Sequence, residues 1–482
     1  MFSGNDIKNN SPEPGDILVW GETHVGLAIK IEPGITAVAH SIGTYHPDKN
    51  KPTIIGKIRF TCAEYQDALD TRIVNGPAIT PYNPQTGLVG DGIGSKKETY
   101  RIRLVPVETS IGDDVWDGTI DTAWYEKNTN AAEFKKGSEL AGLAKIVNDA
   151  TNNFSGKTIT LAANIDLAGR EWTPISYDGP HSFRGTFDGN GRKIMNMTVE
   201  QKYENVSSVG GTGLFGVNGY MGRIINVHLT DFNITLSSPS SYAKAGGLVG
   251  YNHGGKIMNC TATGSVEAST RYTASNVSSC NAGGLAGRNG GTITNCTAGS
   301  SVMASGSSVF AGGLVGYNQG TIATDCKASG NVTASSADNA RTGGFVGYNS
   351  GPITTGCKAS GNVAASAASR AYVGGFVGYG YSQIDSRRIT DCTASGNVTA
   401  SSPLAYAGGF IGEFYGGAIT NCTATGSEIE ATGQEKTYKG GFAGVVGNYR
   451  VLVLTGNHNN TGISPAIGWD KRKKPAGPSD DI

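Results

Sequence analysis

The sequence predicts a mainly β protein whose larger part is a parallel β-helix, a solenoid of roughly 30-residue coils, with a helical cap at its N-terminal end. Three observations carry that expectation. Glycine supplies 72 of 482 residues, about twice the ordinary ~7%, and it sits at fixed spacings in the second half. Glycine pairs beginning at Gly246, Gly283, Gly312, Gly343, Gly374, Gly408 and Gly440 recur at intervals of 37, 29, 31, 31, 34 and 32 residues. Cysteine keeps the same phase, at Cys260, Cys296, Cys326, Cys357, Cys392 and Cys422. Each period holds three short β-prone blocks punctuated by Gly, Asn or Ser, which suits one coil. Paired glycines and β-branched residues disfavour helical repeats, and a propeller blade needs four antiparallel strands and about 40 residues.

Taken in chain order, residues 1–107 lack the repeat. They hold three of the seven histidines, His24, His40 and His46. The run from Pro14 to Ile29, with Val38-Ala39-His40-Ser41, reads as two or three strands with histidines at their ends. Polar edge positions without chemistry account for such histidines. The run also resembles the C-terminal half of NlpC-like papain-fold cysteine peptidases, which cleave cell-wall peptides. That resemblance implies a small α+β papain-like partial domain, with His24 in the place of the base and His40 in the place of the polar residue that orients it. A thiol needs such a base because it is mostly protonated at neutral pH. The family's nucleophilic cysteine lies on a helix upstream of the Gly-Asp strand, yet only 14 residues precede Gly15, and none is cysteine. Three readings follow: a truncated copy, a domain without a nucleophile, or a circular permutation in which Cys62, opening the run Cys62–Leu69, supplies the thiol. The 38 residues from His24 to Cys62 predict that the thiol lies well away from His24.

Residues 108–133 read as a linker, and 134–240 as the cap and first coils. Ser138 through Val147 carries apolar residues at helical spacing behind an N-capping residue, which predicts a helix within 134–150. A first coil is an open sheet edge, and a helix laid over it is one protection. The runs Thr158–Leu161 and Asn164–Leu167 and the tight turn Asp188–Gly191 follow.

Residues 241–450 are the repeats. Side chains alternate along a strand, so parity assigns faces. The row Ala245, Gly247, Val249, Tyr251 has Lys439, Arg288 and Glu413 at equivalent places, and unpaired charges are not buried, so it is expected to face out. The opposite row, Leu248, Leu285, Leu314, Phe345, Phe376, Phe410 and Phe442, then faces in, as do Val266, Val302, Val332, Val363, Val398 and Ile429. Ile293 and Cys296 lie three apart. Both face inward only if the chain turns a corner at Asn295, and Asn259, Asp325, Gly356, Asp391 and Asn421 suit the same corner. Residues 451–482 read as a C-terminal end and a charged tail. These repeats, with the lead-in Trp116-Asp117-Gly118, Trp172-Thr173-Pro174-Ile175 and Phe183–Gly191, resemble GLUG-motif repeats of bacterial secreted and surface proteins. The resemblance covers about residues 115–450. It implies a right-handed β-helix located outside the cell or on its surface, often linked with adhesion.

Function is fainter. Tyr251, Tyr317, Tyr348 and Tyr379 form an outward stripe on which sugar rings could stack, with Val249, Val315, Val346 and Val377 expected beside them as an exposed apolar patch. The alternative is that the tyrosines stack on one another. The cysteine row reads as buried free thiols, because stacked coils ~4.8 Å apart with parallel Cβ vectors suit a disulfide poorly. No cofactor or metal is expected, since neither C-x-x-C nor a zinc-spaced Cys/His cluster occurs. Acids within 241–420 are too scattered for repeat-borne polysaccharide cleavage. The 39 basic and 39 acidic residues balance, which argues against nucleic acid, and no apolar run of about 18 residues marks a membrane span. Met1–Asp6 shows no signal peptide. The leading expectation is a secreted or surface adhesin-like protein whose partners are glycans, a host cell surface or peptidoglycan. The alternative is a cell-wall peptide hydrolase whose β-helix is an accessory anchor.

Overall fold

The computed structural model describes residues 114–126, 130–177, 181–202, 210–238, 242–271, 279–382, 388–447 and 452–471, and six strands by their backbone alone within the first 113. The chain divides into two units, Met1–Ser110 and Ile111–Ile482. In the first, the six strands form one antiparallel sheet in the order Leu88–Val89, Ala78–Asn83, Ile35–His40, His24–Glu32, Asp16–Trp20, Thr99–Arg103.

The second unit is a parallel β-solenoid of about eight turns, with one helix among the described residues. One coil shows the plan. Val315–Asn318, Thr321–Ala323, Lys327–Ala328 and the long strand Val332–Gly343 follow one another. The first, third and fourth pair in parallel with Val346–Asn349, Lys358–Ala359 and the strands Val363–Ala367 and Arg370–Gly374 of the next coil. The expected corner forms where glycine or a short polar side chain tolerates it. Asn259, Asn295, Asp325, Asp391 and Asn421 have φ of 55°, 49°, 56°, 53° and 54°, and Gly356 has 81°. Each corner turns both the isoleucine before it and the cysteine after it inward, and both rows are buried. The Phe row stacks ring on ring, with centroids 4.5, 4.8 and 5.0 Å apart from Phe345 through Phe376 and Phe410 to Phe442. Each buried Leu, Phe, Val or Ile contributes about 1.5–3 kcal/mol before chain entropy opposes it.

Three expectations are corrected. First, parity does not run unbroken through the glycine pairs, because each pair is itself a corner. A Cβ on Gly312 would collide with the Val315 carbonyl oxygen, so the chain folds back on itself there and only glycine fits. As a result Ala245, Ala282, Ala311 and Ala407 are buried, and Val249, Val315, Val346 and Val377 are wholly buried rather than an exposed patch. Second, the stretch expected as a linker is structural from Asp114 onward. Asp114–Val115 pairs with Ile165–Asp166, Trp116 packs edge-on against Trp172 with centroids 5.7 Å apart, and Trp124 packs on Phe134. Their aromatic area, about 150–250 Å² per ring system, favours docking over a tether. Third, the solenoid passes residue 450. Leu452–Thr455, His458–Asn459 and Ile467–Asp470 add a further coil in parallel register.

The cap helix, α1 (Gly137–Asn148), buries Leu140, Leu143, Ile146 and Val147 over the first coils. Its first turn is not capped by a serine. The Glu139 carboxylate accepts from the backbone N–H of Lys135 and Lys136, and the Asp114 carboxylate accepts from Gly137. These acids satisfy orphan donors at the positive end of the helix dipole.

Candidate functional site

The glycine corner decides where outward side chains meet. On the strand before each pair, the residue two positions ahead of the first glycine points outward. On the strand after it, the tyrosine position does. The bend between them brings two columns of side chains together. One column runs Lys244, Asn281, Phe310, Arg341, Tyr372, Tyr406 and Tyr438, one residue per coil. The other runs Tyr251, Arg288, Tyr317, Tyr348, Tyr379, Glu413 and Val445. The buried valine row lies beneath this double column.

All four tyrosines named from the sequence stand in the second column, each half-buried. Their faces are largely taken. Tyr317 and Tyr348 stack with centroids 4.6 Å apart at 11°, and Tyr348 and Tyr379 at 5.5 Å and 17°. No sugar ring fits between planes that close. Phe310 meets Tyr317 and Tyr348 edge-on, and Tyr372 meets Tyr379 edge-on. The guanidinium of Arg288 lies 5.2 Å from the Tyr251 ring centre and 5.1 Å from that of Tyr317. Arg341 lies 5.2 Å from Phe310, 5.5 Å from Tyr372 and 5.2 Å from Tyr379. Such cation–π contacts contribute roughly 0.5–2 kcal/mol each as water is excluded. Chemically, the face offers ring edges, hydroxyls and guanidinium N–H groups, with open ring faces only where a stack ends.

Electrostatics follow from the partial burial. Glu413, 4% exposed, is buried and paired with the half-exposed Lys471, whose Nζ donates to Oε1 at 2.7 Å. The expectation that this position faces out is not met at Glu413, whose carboxylate is buried but compensated by the half-exposed Lys471 ammonium. Burial, and then the charge of Glu413, push the phenols of Tyr372, Tyr379 and Tyr406 above their ordinary value. Burial, and then the neighbouring Arg288 charge, lower the Lys244 ammonium from 10.5 to about 8.

The first column escaped sequence reasoning, although its signal was present as the residue two places before each glycine pair. A second feature also went unread. Asn218, Asn252, Asn289, Asn318 and Asn349, each following the tyrosine position, form a buried ladder. Each Nδ2 donates to the next Oδ1 at 2.8, 2.7, 2.8 and 2.8 Å. In the coil behind the first member, Phe183 stands where an asparagine would donate, and Asn218 Oδ1 is left without a partner.

The remaining candidates divide. Cys260, Cys296, Cys326, Cys357, Cys392 and Cys422 are buried free thiols, as is Cys280. Burial raises Cys296 and pushes Cys280 up to about 12, which disfavours the thiolate at these two positions, whereas hydrogen bonds from Cys326 and Cys392 lower Cys357 within the buried row. Among the described residues no three His, Cys, Asp or Glu side chains cluster to hold a metal. In the first unit His24 opens His24–Glu32 and His40 closes the adjacent strand Ile35–His40, with His40 opposite Gly26 in the register. Cys62 lies outside the described residues.

Fold and face together define a class: a β-solenoid repeat protein with a linear outward surface of aromatic and cationic side chains. The chain carries the GLUG motif six times, at residues 242–267, 278–303, 311–333, 338–364, 369–399 and 404–430. It is similar to Halomucin of Haloquadratum walsbyi, 30% identical over 205 residues, which is 41% of this chain and 2% of that protein. It is also similar to a "Putative Gly-rich membrane protein" of Evansella cellulosilytica, 35% identical over 96 residues, 20% of this chain and 10% of the relative. The chain therefore spans only a small part of either relative. Among solved structures, "a putative immunoglobulin A1 protease from Bacteroides ovatus" aligns over 70% of this chain and 86% of its own, with 19% identity and a TM-score of 0.38. No helix among the described residues is long and apolar enough to cross a membrane.

Proposed function

We propose that this chain is a secreted or surface-displayed bacterial binding protein, adhesin-like, that contacts glycans of a host cell or a cell wall along its double column. The observation that supports this most is the continuity of the face from Tyr251 through Arg288, Tyr317 and Tyr348 to Tyr379: these side chains follow one another on successive coils, each half-buried, with Phe310 and Arg341 half-buried beside them. A linear polymer has a matching periodicity, so one weak contact per coil sums along its length. The GLUG repeats are consistent with a surface role. A glycan array with a cell-binding assay tests the proposal. Changing Tyr317 and Tyr348 together to Ala is expected to lower binding by roughly tenfold or more, as loss of central aromatic anchors does elsewhere. Binding that is indifferent to the double change would remove this face from the reading.

A second reading, a thiol peptidase acting on cell-wall peptides within Met1–Ser110, draws support from one observation, the placement of His24 and His40 on adjacent strands. Cys62 is the candidate nucleophile within these residues. Release of peptides from peptidoglycan by the full chain, lost in Cys62→Ala, is its expected result. Equal release by both proteins, or none by either, would end it.

A further inference from the structure

We propose that the double column takes an anionic polysaccharide, one carrying carboxylate or sulfate groups, rather than a neutral glycan. This rests on the glycan-binding reading above and names the ligand class for the same face.

The argument begins with the two arginines. Arg288 is held between the rings of Tyr251 and Tyr317, and its Nη2 donates to Gln319 Oε1 at 2.5 Å. Arg341 is held against Phe310 and Tyr379. Among the described residues neither guanidinium forms an ion pair, and the Nε of each is buried without a hydrogen-bond partner. Guanidinium groups that are half-buried and locked by rings usually meet a carboxylate, because the planar fork matches it with two N–H donors. The carboxylate on this face does not serve them. Glu413 is taken by Lys471. Lys244 adds a third cation at the N-terminal end, above the Tyr251 ring at 5.4 Å. Burial, and then the neighbouring Arg288 charge, lower its ammonium.

Spacing then selects the ligand. Arg288 belongs to the coil that starts at Gly283. Arg341 comes one strand ahead of Gly343, two coil positions along the axis. Coils stack ~4.8 Å apart, so the two arginines stand roughly 10 Å apart along the axis. That is about one disaccharide of an extended chain, the interval at which an alternating acidic polysaccharide presents its charges. The tyrosine hydroxyls and ring edges between the cations suit sugar hydroxyls. A neutral glycan would leave the guanidinium charges uncompensated as it displaced their water, which costs free energy. Equal numbers of basic and acidic residues in the chain favour this local complementarity over the general basic surface that nucleic acid needs.

The test compares polygalacturonate and chondroitin sulfate with dextran and with polyglutamate, using the full chain in calorimetry at low and high salt. The expected result is binding of the two acidic polysaccharides and not of dextran. It should weaken with salt, fall roughly tenfold or more in Arg288→Gln/Arg341→Gln, and recover in part in Arg288→Lys/Arg341→Lys. Circular dichroism confirms that each variant is folded, and the Lys pair carries the test if the Gln pair is not. Dextran binding as tightly as the acidic chains, or Gln variants binding unchanged, would overturn the anionic assignment while leaving the glycan reading intact. Polyglutamate binding equally well with the same arginine dependence would overturn the polysaccharide assignment. Binding of no polysaccharide would overturn both.

Discussion

At the scale of single residues, the solenoid interior is less oily than its glycine–valine composition suggests. The asparagine ladder places a polar amide in five successive coils and satisfies it sideways, each Nδ2 to the next Oδ1. Asn318→Ala breaks the chain of amides in the middle. It leaves the Nδ2 of Asn289 without its ladder acceptor and the Oδ1 of Asn349 without its donor. A loss of about 2–3 kcal/mol is expected in denaturant unfolding, since an orphaned buried polar group costs about 1–3 kcal/mol. Lys244 gives a pH dependence of known sign. Below pH 8 its ammonium is charged in both folded and unfolded chains, and the desolvation penalty stands in full. Between about 8 and 10.5 the folded chain has shed a proton that the unfolded chain still holds, so this group makes stability rise with pH. At about 1.36 kcal/mol per pH unit the interval is worth roughly 3 kcal/mol. Melting curves of the native protein and Lys244→Met, taken from pH 8 to 10, should converge as pH rises. Thiols and phenols titrate alike in both, so parallel curves would show that Lys244 does not feel the penalty.

At the scale of the element, two kinds of corner define each coil, and they differ in what they demand. The Asn/Asp corner requires a left-handed backbone, which short polar side chains or glycine accept, and Gly356 fills it in one coil. Asn295→Gly is therefore expected to stay within about 0.5 kcal/mol of the native protein. Asn295→Val should cost about 1–2 kcal/mol or more, because a β-branched residue at φ near 49° is strained. Thermal denaturation of the pair decides it, and equal melting points would show that the corner relaxes. The glycine-pair corner demands close approach instead of an unusual φ. It converts one strand direction into another and thereby creates the double column outside.

For the whole molecule, each coil meets only its neighbours, so stability is a sum over coils and their interfaces. Gly312 and Gly343 are 31 residues apart and occupy the same place in successive coils. Excising residues 313–343 should therefore leave a folded solenoid one coil shorter. Asn289 would then face Asn349, Ile293 would face Ile353 and Cys296 would face Cys357, which continues every ladder. The shortened chain is expected to keep its far-UV β spectrum and unfold cooperatively at a modestly lower temperature. A disordered product would show that the coils are not interchangeable.

The repeat, the cap helix, the Asn/Asp corners and the buried Phe, Ile, Cys and Val rows are determined by sequence alone, because a row of like residues at a fixed period can be buried only by stacking in register. Parity failed at Val249 and Ala245 because side-chain alternation is a rule within a strand, and the chain bends at each glycine pair, where the first glycine packs against a carbonyl of its own coil and the second against one of the next. The same bend decided the candidate site. Tyr251, Tyr317, Tyr348 and Tyr379 were legible as an outward stripe, but their neighbours Lys244, Phe310, Arg341 and Tyr372 come from a strand on the other side of the corner. Only the folded backbone sets the angle between those strands, and that angle determines whether two outward columns diverge into solvent or close on each other.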